Sequence, residues 1–485
     1  MLLIMADDMG FSDLSCYGGE IATPHLDRLA REGIHFTQFY NNAKCEPTRS
    51  SLLTGHYSQI AGASPTVVYR APTFGELLRS AGYHTWMVGK WHAGQKPFDR
   101  GFDRHFGLTD GCSNYFNPGE PRPGEPLPSE KNYPRRWAED QREFRPFSPA
   151  DASFYATDAY TQHALNYLEQ AGSGDRPFLL YVAYTAPHYP LHARPEDIAR
   201  HRGRYRAGWD RLREERLQRQ KRLGLVSPET VLPPREAGVP AWDALPAAEQ
   251  DSWDLRMSVY AAMIDRLDQN IGLLLAKLEE KGQAENTVVM FLSDNGGESD
   301  DTDYSRQPGT APGPQESYRM VGPGWAQMSN TPFRRYKTWM HEGGIATPFL
   351  VRWPKAIAAG GQRNQVGHIT DLVPTFLELA GTTYPDRWQG ESLRPLPGQS
   401  LLPVFNNLPR PDAARFWQLG TAAAVRLGPW KLVRGRSATS PSAWELYHLE
   451  QDRNELQDLA ARQPERVAAL AALWSNWSRS LPPQN

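Results

Sequence analysis

Four short apolar runs, each ending abruptly in polar residues, constrain this chain more than any other feature. Leu2 to Ala6 runs into Asp7-Asp8, Thr85 to Gly89 into Lys90-Trp91-His92, Phe178 to Tyr184 into Ala186-Pro187-His188, and Thr287 to Ser293 into Asp294-Asn295-Gly296-Gly297. Runs this short and this continuously apolar read as strands buried on both faces. Between them, Asp158 to Glu169 and Trp253 to Glu280 carry apolar residues at near-helical spacing, the latter at Val259, Ile264, Leu267, Ile271, Leu274 and Leu278. Strands alternating with helices imply an α/β fold, a large, mostly parallel sheet sandwiched by helices. In open sheets of this kind the ligand crevice lies beyond the carboxyl ends of the strands, so all four polar clusters are poised to meet in one crevice.

With 485 residues, the chain has room for a large main domain and a smaller appendage. The composition shifts to Pro, Asn and Leu around Pro395 to Pro411, which divides the chain into a main domain over 1–395 and a smaller C-terminal domain over 396–485. In the latter, Ala423 to Leu427 and Trp430 to Val433 flank Gly428-Pro429 as a hairpin, Trp444 to Leu449 reads as a further strand, and Pro464 to Trp477 as a closing helix. This is an α+β unit with an antiparallel sheet. Two insertions interrupt the main domain. Residues 117–146, rich in Pro, Glu and Arg, read as a long surface loop. Within 196–250, the densely charged stretch Tyr205 to Leu223 reads as a solvated helix, with an anion-binding wall as the alternative.

Lys and Arg total 53 against 55 Asp and Glu, so no global field favours nucleic acid or a membrane surface as partner. No apolar stretch of about 20 residues suggests a membrane span. The N-terminus lacks the basic and long apolar regions of a secretory signal, which gives a cytoplasmic expectation, or a periplasmic or secreted one should a leader precede it. Three cysteines, Cys16, Cys45 and Cys112, make no disulfide framework and no zinc spacing, so one of them is free for chemistry.

Cys45 stands in Lys44-Cys45-Glu46-Pro47-Thr48-Arg49-Ser50-Ser51-Leu52-Leu53-Thr54-Gly55. Pro47 suits the first residue of a helix and Gly55 its end, which puts Cys45 just before a helix N-terminus with Arg49 about one turn on. Such an end favours an anion or a thiolate. On these residues alone, a reactive Cys45 and a half-buried structural cysteine are equally open. Asp7-Asp8 can likewise be a turn, Asp294-Asn295 a helix cap, and a lone Lys or His surface charge.

The run Cys45-x-Pro47-x-Arg49 followed by Ser50 to Gly55 resembles the sulfatase signature, in which a modifying enzyme converts this cysteine into formylglycine. The similarity extends through Ala6 to Gly10, Gly89 to His92, Pro187-His188, Ser293 to Gly296, Ser329 to Phe333, His341 to Gly344 and Thr370 to Thr375, hence along essentially the whole chain. The segment Gly324 to Gly344 looks specifically like bacterial arylsulfatases. The resemblance implies an alkaline-phosphatase-like fold and the hydrolysis of sulfate monoesters, aryl sulfates in particular. It implies Asp7, Asp8, Asp294 and Asn295 as metal ligands, joined by the modified Cys45. An all-oxygen set suits Ca²⁺, with Mg²⁺ as the lesser alternative, over zinc.

In the mechanism so implied, formylglycine is hydrated to a geminal diol. One hydroxyl attacks sulfur to give an enzyme-sulfate ester, and the other expels sulfate. Arg49 steadies the nucleophile and its metal, Lys90 and Lys337 contact sulfate oxygens, His188 protonates the leaving oxygen, and His92 assists the second hydroxyl. His192 and His341 receive no role. The implied partners are a small sulfate ester and a formylglycine-generating or sulfatase-maturating enzyme. A phosphonate or phosphate ester hydrolase using the same site is the competing enzymatic reading. An inactive homologue that binds sulfated glycans is the non-enzymatic one, and it is disfavoured because nucleophile and metal ligands are all present.

Overall fold

The structure, a computed structural model, describes residues 1–62, 71–171, 176–436 and 443–482. Among these, one large mixed sheet dominates. Its strands are β1 (Leu2–Ala6), β2 (Ile34–Tyr40), β3 (His84–Gly89), β4 (Arg104–Leu108), β5 (Trp137–Glu139), β6 (Arg142–Phe144), β7 (Phe178–Ala183), β8 (Val289–Ser293), β9 (Ala346–Arg352), β10 (Gly361–Arg363) and β11 (Gly367–His368). The order is β10-β2-β9-β8-β1-β7-β3-β4-β5-β6, with β11 also on β2. The central strands β8, β1, β7, β3 and β4 are parallel. β9 runs antiparallel to both β2 and β8, and the β5-β6 hairpin extends β4 antiparallel.

Alternation along β1 splits its side chains between two cores. Leu2, Ile4 and Ala6 join the layer under helices Pro24–Glu32, Ala156–Gln170 and Ala247–Glu280. Leu3 and Met5 join the layer under helices Cys45–Thr54, Phe74–Ser80 and Leu372–Leu379. Each fully buried aliphatic side chain contributes roughly 1.5–3 kcal/mol, which is why every residue of β1 is apolar. The four strands anticipated from the sequence are present, with ends differing by a residue or two. Their register matters for the site. Ala6 pairs with Ser293, and Met5 pairs with Ala183, which pairs with Gly89. The strands therefore end at one level, and the residues that follow them emerge side by side.

The two insertions depart from expectation. Residues 117–146 are not loop throughout, because Trp137–Glu139 and Arg142–Phe144 pair as the sheet's edge hairpin. Trp137 is fully buried, stacked near Phe147 and Tyr160, so burying its indole outweighs the loop-like composition. Helix Gly208–Arg222 is not a solvated helix on all sides. Arg216 is fully buried, paired with Asp13 at 2.8 Å and Glu20 at 2.8 Å, and Trp209, Leu212 and Leu217 of the same helix are buried as well.

Beyond a small hairpin, β12 (Arg387–Trp388) and β13 (Glu391–Ser392), a second sheet orders as β14 (Arg415–Leu419), β15 (Ala422–Leu427), β16 (Trp430–Arg434) and β17 (Glu445–His448), all antiparallel. Helix Pro464–Ser480 covers it with Leu470 and Trp474. No helix among the described residues is long and apolar enough to cross a membrane.

Candidate active site

The strand ends gather Asp7, Asp8, Asp294 and Asn295, all buried. Asp8 adopts a left-handed conformation, φ 63°, which Asp tolerates better than most residues. That turn lets its N–H donate to Asp294 Oδ1 at 3.2 Å, while Asp294 N–H donates to Ala6 O at 3.1 Å. One side-chain and one backbone acceptor thus lock β1 to β8 at the cluster. Asn295 Nδ2 donates to Asp8 Oδ1 at 2.7 Å and to Gly296 O at 2.9 Å, which leaves Asn295 Oδ1 buried with no hydrogen-bond partner. Asp7 Oδ1 is likewise buried and unpartnered.

Cys45 opens its helix two residues earlier than Pro47, the residue expected to start it. Lys44 is extended and serves as the cap, and Pro47 falls among the first residues of a helix, where no intrahelical N–H is needed. Gly55 ends the helix at φ 73° with its N–H on Ser51 O. One turn in, Arg49 grips Asp294 Oδ2 with Nε at 3.1 Å and Nη2 at 2.9 Å, and Nη1 donates to Lys90 O at 2.7 Å. Its Nη2 is also 3.7 Å from Asp7. A planar guanidinium suits this forked contact as a lysine would not.

Two lysines complete the charge pattern. Lys90 Nζ lies 2.5 Å from Asp7 Oδ2, and Lys337 Nζ lies 2.8 Å from Asp8 Oδ2 and 2.9 Å from Glu298 Oε2. His188 Nδ1 is 2.6 Å from Tyr189 O, which fixes Nδ1 as the N–H and turns Nε2 toward Asp8 Oδ2 at 3.5 Å. His92 Nδ1 is 3.5 Å from Cys45 Sγ. The structure therefore brings Asp7, Asp8, Cys45, Arg49, Lys90, His92, His188, Asp294, Asn295 and Lys337 into one cluster. His192 and His341 lie elsewhere, bonded to Ser317 O and Glu445.

The charges are crowded and dry. Burial and the Asp7 carboxylate push Asp294 up to about 7 against Arg49 and Lys90. Burial also pushes Asp8 up, but Lys337, His188 and Lys90 outweigh it and hold Asp8 below the usual carboxylate range. Burial lowers His188 to about 4, with Lys90 and Lys337 acting in the same sense and Asp8 opposing. His92 is pushed well down by burial and by Lys90 and Arg49, and burial raises the Cys45 thiol despite both lysines.

The donor set fits a hard divalent cation. Ligand atoms of Asp7, Cys45 and Asp294 lie within 4.8 Å of one another, and two buried oxygens, Asp7 Oδ1 and Asn295 Oδ1, have no partner within the protein. Unsatisfied buried oxygens are costly unless something meets them. Oxygen ligands from carboxylates and an amide match Ca²⁺ or Mg²⁺ chemistry better than that of zinc.

The model of the Sulfatase family matches residues 1–382. The chain belongs to the sulfatase family, and it is a sulfuric ester hydrolase. A second family model, N-sulphoglucosamine sulphohydrolase, C-terminal, matches residues 334–477 of this sulfatase. An uncharacterized sulfatase of Schizosaccharomyces pombe is 34% identical over 98% of this chain and 92% of its own length. An arylsulfatase of Klebsiella aerogenes is 33% identical over 83% of this chain and 90% of its own. The solved structure of Ps i-CgsB in complex with k-i-k-neocarrahexaose superposes with a TM-score of 0.71, at 25% identity, covering 99% of this chain and 93% of that one.

Several side chains of the sulfatase's cluster carry no role in the sequence reading. Glu298, three residues after Asn295, pairs with Lys337 and accepts N–H bonds from Ser299 and Asp300. Tyr115 donates to His188 O at 2.8 Å, bracing that loop. A Cβ on Gly111 would stand 2.9 Å from the His92 ring, so the backbone of residue 111 backs that imidazole. Glu298 is legible as an acid beside a matched motif. Tyr115 acts through a hydroxyl bond to a distant backbone carbonyl and Gly111 through shape, and neither leaves such a signal.

Proposed function

We propose that this sulfatase hydrolyses aryl sulfate monoesters with residue 45 matured from cysteine to formylglycine, and with a divalent ion, Ca²⁺ in preference to Mg²⁺, held by Asp7, Asp8, Asp294, Asn295 and residue 45. The observation that carries the reading is the pair of buried, unpartnered oxygens, Asp7 Oδ1 and Asn295 Oδ1, in a cluster whose every other oxygen meets a cation or an N–H. The arylsulfatase of Klebsiella aerogenes, matched along most of both chains, supports the aryl substrate class.

When present, the ion supplies positive charge beside the nucleophile, and hydrated formylglycine supplies two geminal hydroxyls in place of a thiol. The chain's own residues do the rest. Arg49 pairs with Asp294 Oδ2 and opposes the burial that pushes that carboxyl up, favouring its ionised form. Lys90 and Lys337, now resting on Asp7 and Asp8, are the cations available to sulfate oxygens once an ion shares those carboxylates. His92 Nδ1 is within reach of a proton at residue 45. His188 Nε2 faces the crevice because its Nδ1 is committed to Tyr189 O, so it is the nitrogen that delivers a proton to the leaving oxygen. The negative charge of a bound sulfate ester favours the imidazolium that this step requires. Maturation of Cys45 calls on a formylglycine-generating or sulfatase-maturating enzyme.

The test combines peptide mass spectrometry across residue 45, metal analysis, and turnover of an aryl sulfate by the same preparation. The expected result is that turnover scales with the fraction of residue 45 carrying the aldehyde. Full turnover by protein with an unmodified thiol sinks the proposal.

A further inference from the structure

Lys337 belongs to no helix or strand. It lies in the segment Arg334–His341, after helix Pro323–Ser329 and before β9, and left-handed residues flank it: Arg335 at φ 65° and Thr338 at φ 73°. A β-branched residue in that region is strained and persists only where its surroundings over-determine it. The restraints are identifiable. Lys337 N–H donates to Gly297 O at 3.1 Å, and Thr338 N–H donates to Ala43 O at 2.6 Å, which tethers the middle of the segment to the metal-ligand turn and to the residues before Cys45.

The ends of the segment are held from farther away. Arg334 Nη1 lies 3.5 Å from Glu445 Oε2, 3.1 Å from Tyr447 Oη and 2.9 Å from Glu455 O. His341 Nε2 lies 3.2 Å from the same Glu445 Oε2, to which Tyr447 OH donates at 2.5 Å. One carboxylate oxygen on β17 thus ties both ends of the Lys337 segment. On its other side, Arg335 Nη1 meets Glu236 Oε2 at 2.5 Å, and its guanidinium lies 4.2 Å from the centre of the Trp339 ring. Glu236 comes from the 196–250 insertion. Neither carboxylate belongs to the strand-end cluster.

We infer that Glu445 and Glu236 are positioning residues for Lys337, through which the C-terminal sheet and the 196–250 insertion clamp the strained segment that presents this lysine to sulfate. The inference rests on the reading that Lys337 binds sulfate oxygens. Its physical basis is that a long, flexible side chain is only as well placed as its backbone, and a misplacement of about 1 Å costs on the order of 100-fold in rate.

The experiment is a double-mutant cycle on aryl sulfate turnover, run on matured protein with unchanged thermal midpoint. Glu445→Gln keeps the shape of the side chain but removes the charge that Arg334 and His341 share. It should lower kcat/KM by about tenfold, uniformly across leaving groups, the same pattern expected of Lys337→Ala if that lysine binds non-bridging sulfate oxygens. Glu236→Gln should do the same independently, and Glu445→Asp, which restores the charge, should recover part of the loss. In a Lys337→Ala background, Glu445→Gln and Glu236→Gln should each change kcat/KM by less than about twofold, because the side chain through which they act is gone. Equal fold-losses in both backgrounds, or no loss in the wild-type background, overturn the clamp alone. A Lys337→Ala variant as active as wild type refutes the role of Lys337 and the clamp with it. Should Glu445→Gln fail to fold, the Glu236→Gln arm decides by the same criteria.

Discussion

Two adjacent glycines offer a sharp test of how tightly the site is built. A Cβ at Gly296 would stand 1.9 Å from Gly343 O, whereas a Cβ at Gly297 would meet nothing closer than Ser329 Cβ at 3.2 Å. Since real Cβ contacts are essentially never under 3.0 Å, Gly296→Ala forces the 343 backbone or the Asn295-Gly296 turn to move by about 1 Å. Both carry the proposed chemistry. Gly343 N–H is bonded to Arg334 O in the Lys337 segment, Gly296 N–H is bonded to Gly344 O, and Asn295 is a proposed ligand. A shift of that size predicts a loss on the order of 100-fold in kcat/KM for Gly296→Ala. For Gly297→Ala a few tenths of an ångström suffice, so the loss should stay within about threefold. Aryl sulfate kinetics, bound-metal analysis and thermal midpoints on matched preparations make the comparison. Near-wild-type turnover by Gly296→Ala, or equal losses at the two positions, would refute the reasoning.

Cys45→Ala should abolish turnover with the fold intact, and Cys45→Ser should retain at most a trace, checked by steady-state assay and circular dichroism. Chelation should remove a single divalent ion per chain together with activity, and Ca²⁺ should restore more turnover than Mg²⁺, measured by elemental analysis alongside the assay. His188→Ala should steepen the dependence of rate on leaving-group pKa across a series of aryl sulfates, because a basic phenoxide needs the proton that a nitrophenolate does not; equal losses across the series would reassign His188 to sulfate binding. Away from the site, burial pushes Glu342 up, but Lys431, Arg453 and Arg426 outweigh it and hold it at about 2, below its ordinary 4.5. A depressed carboxylate stabilises the fold fully above 4.5 and loses that contribution as pH falls through 4.5 toward 2, so thermal midpoints over this window should fall more steeply for wild type than for Glu342→Gln.

The centre of the fold was legible because physics concentrates its signal there. β1, β3, β7 and β8 are buried on both faces, so they appear as continuous apolar runs, and the polar residues after them stand out. β2 is harder to read. Ile34–Tyr40 includes His35, Thr37 and Gln38, and a register shift between Phe36 and Phe39 breaks any period of two. The β5-β6 hairpin is shorter still, and three-residue strands hold too little sequence to show alternation. Arg216 misleads in the opposite sense. A charged residue amid other charges reads as solvated, yet Asp13 and Glu20, about 200 residues earlier in the chain, are what permit its burial.

The same contrast separates the parts of the site. Asp7, Asp8, Asp294 and Asn295 sit at the ends of neighbouring strands, where register alone aligns them, so a local sequence pattern is enough to predict that they meet. Lys337 and His188 come from irregular segments whose placement depends on distant partners: Glu445 and Glu236 through the Arg334–His341 segment, and Tyr115 through the carbonyl of His188. Errors in a strand-end ligand therefore strike every substrate alike. On the proposed roles, a change in the braces of Lys337 lowers rates alike for every leaving group, and only a change in the brace of His188 separates one ester from another.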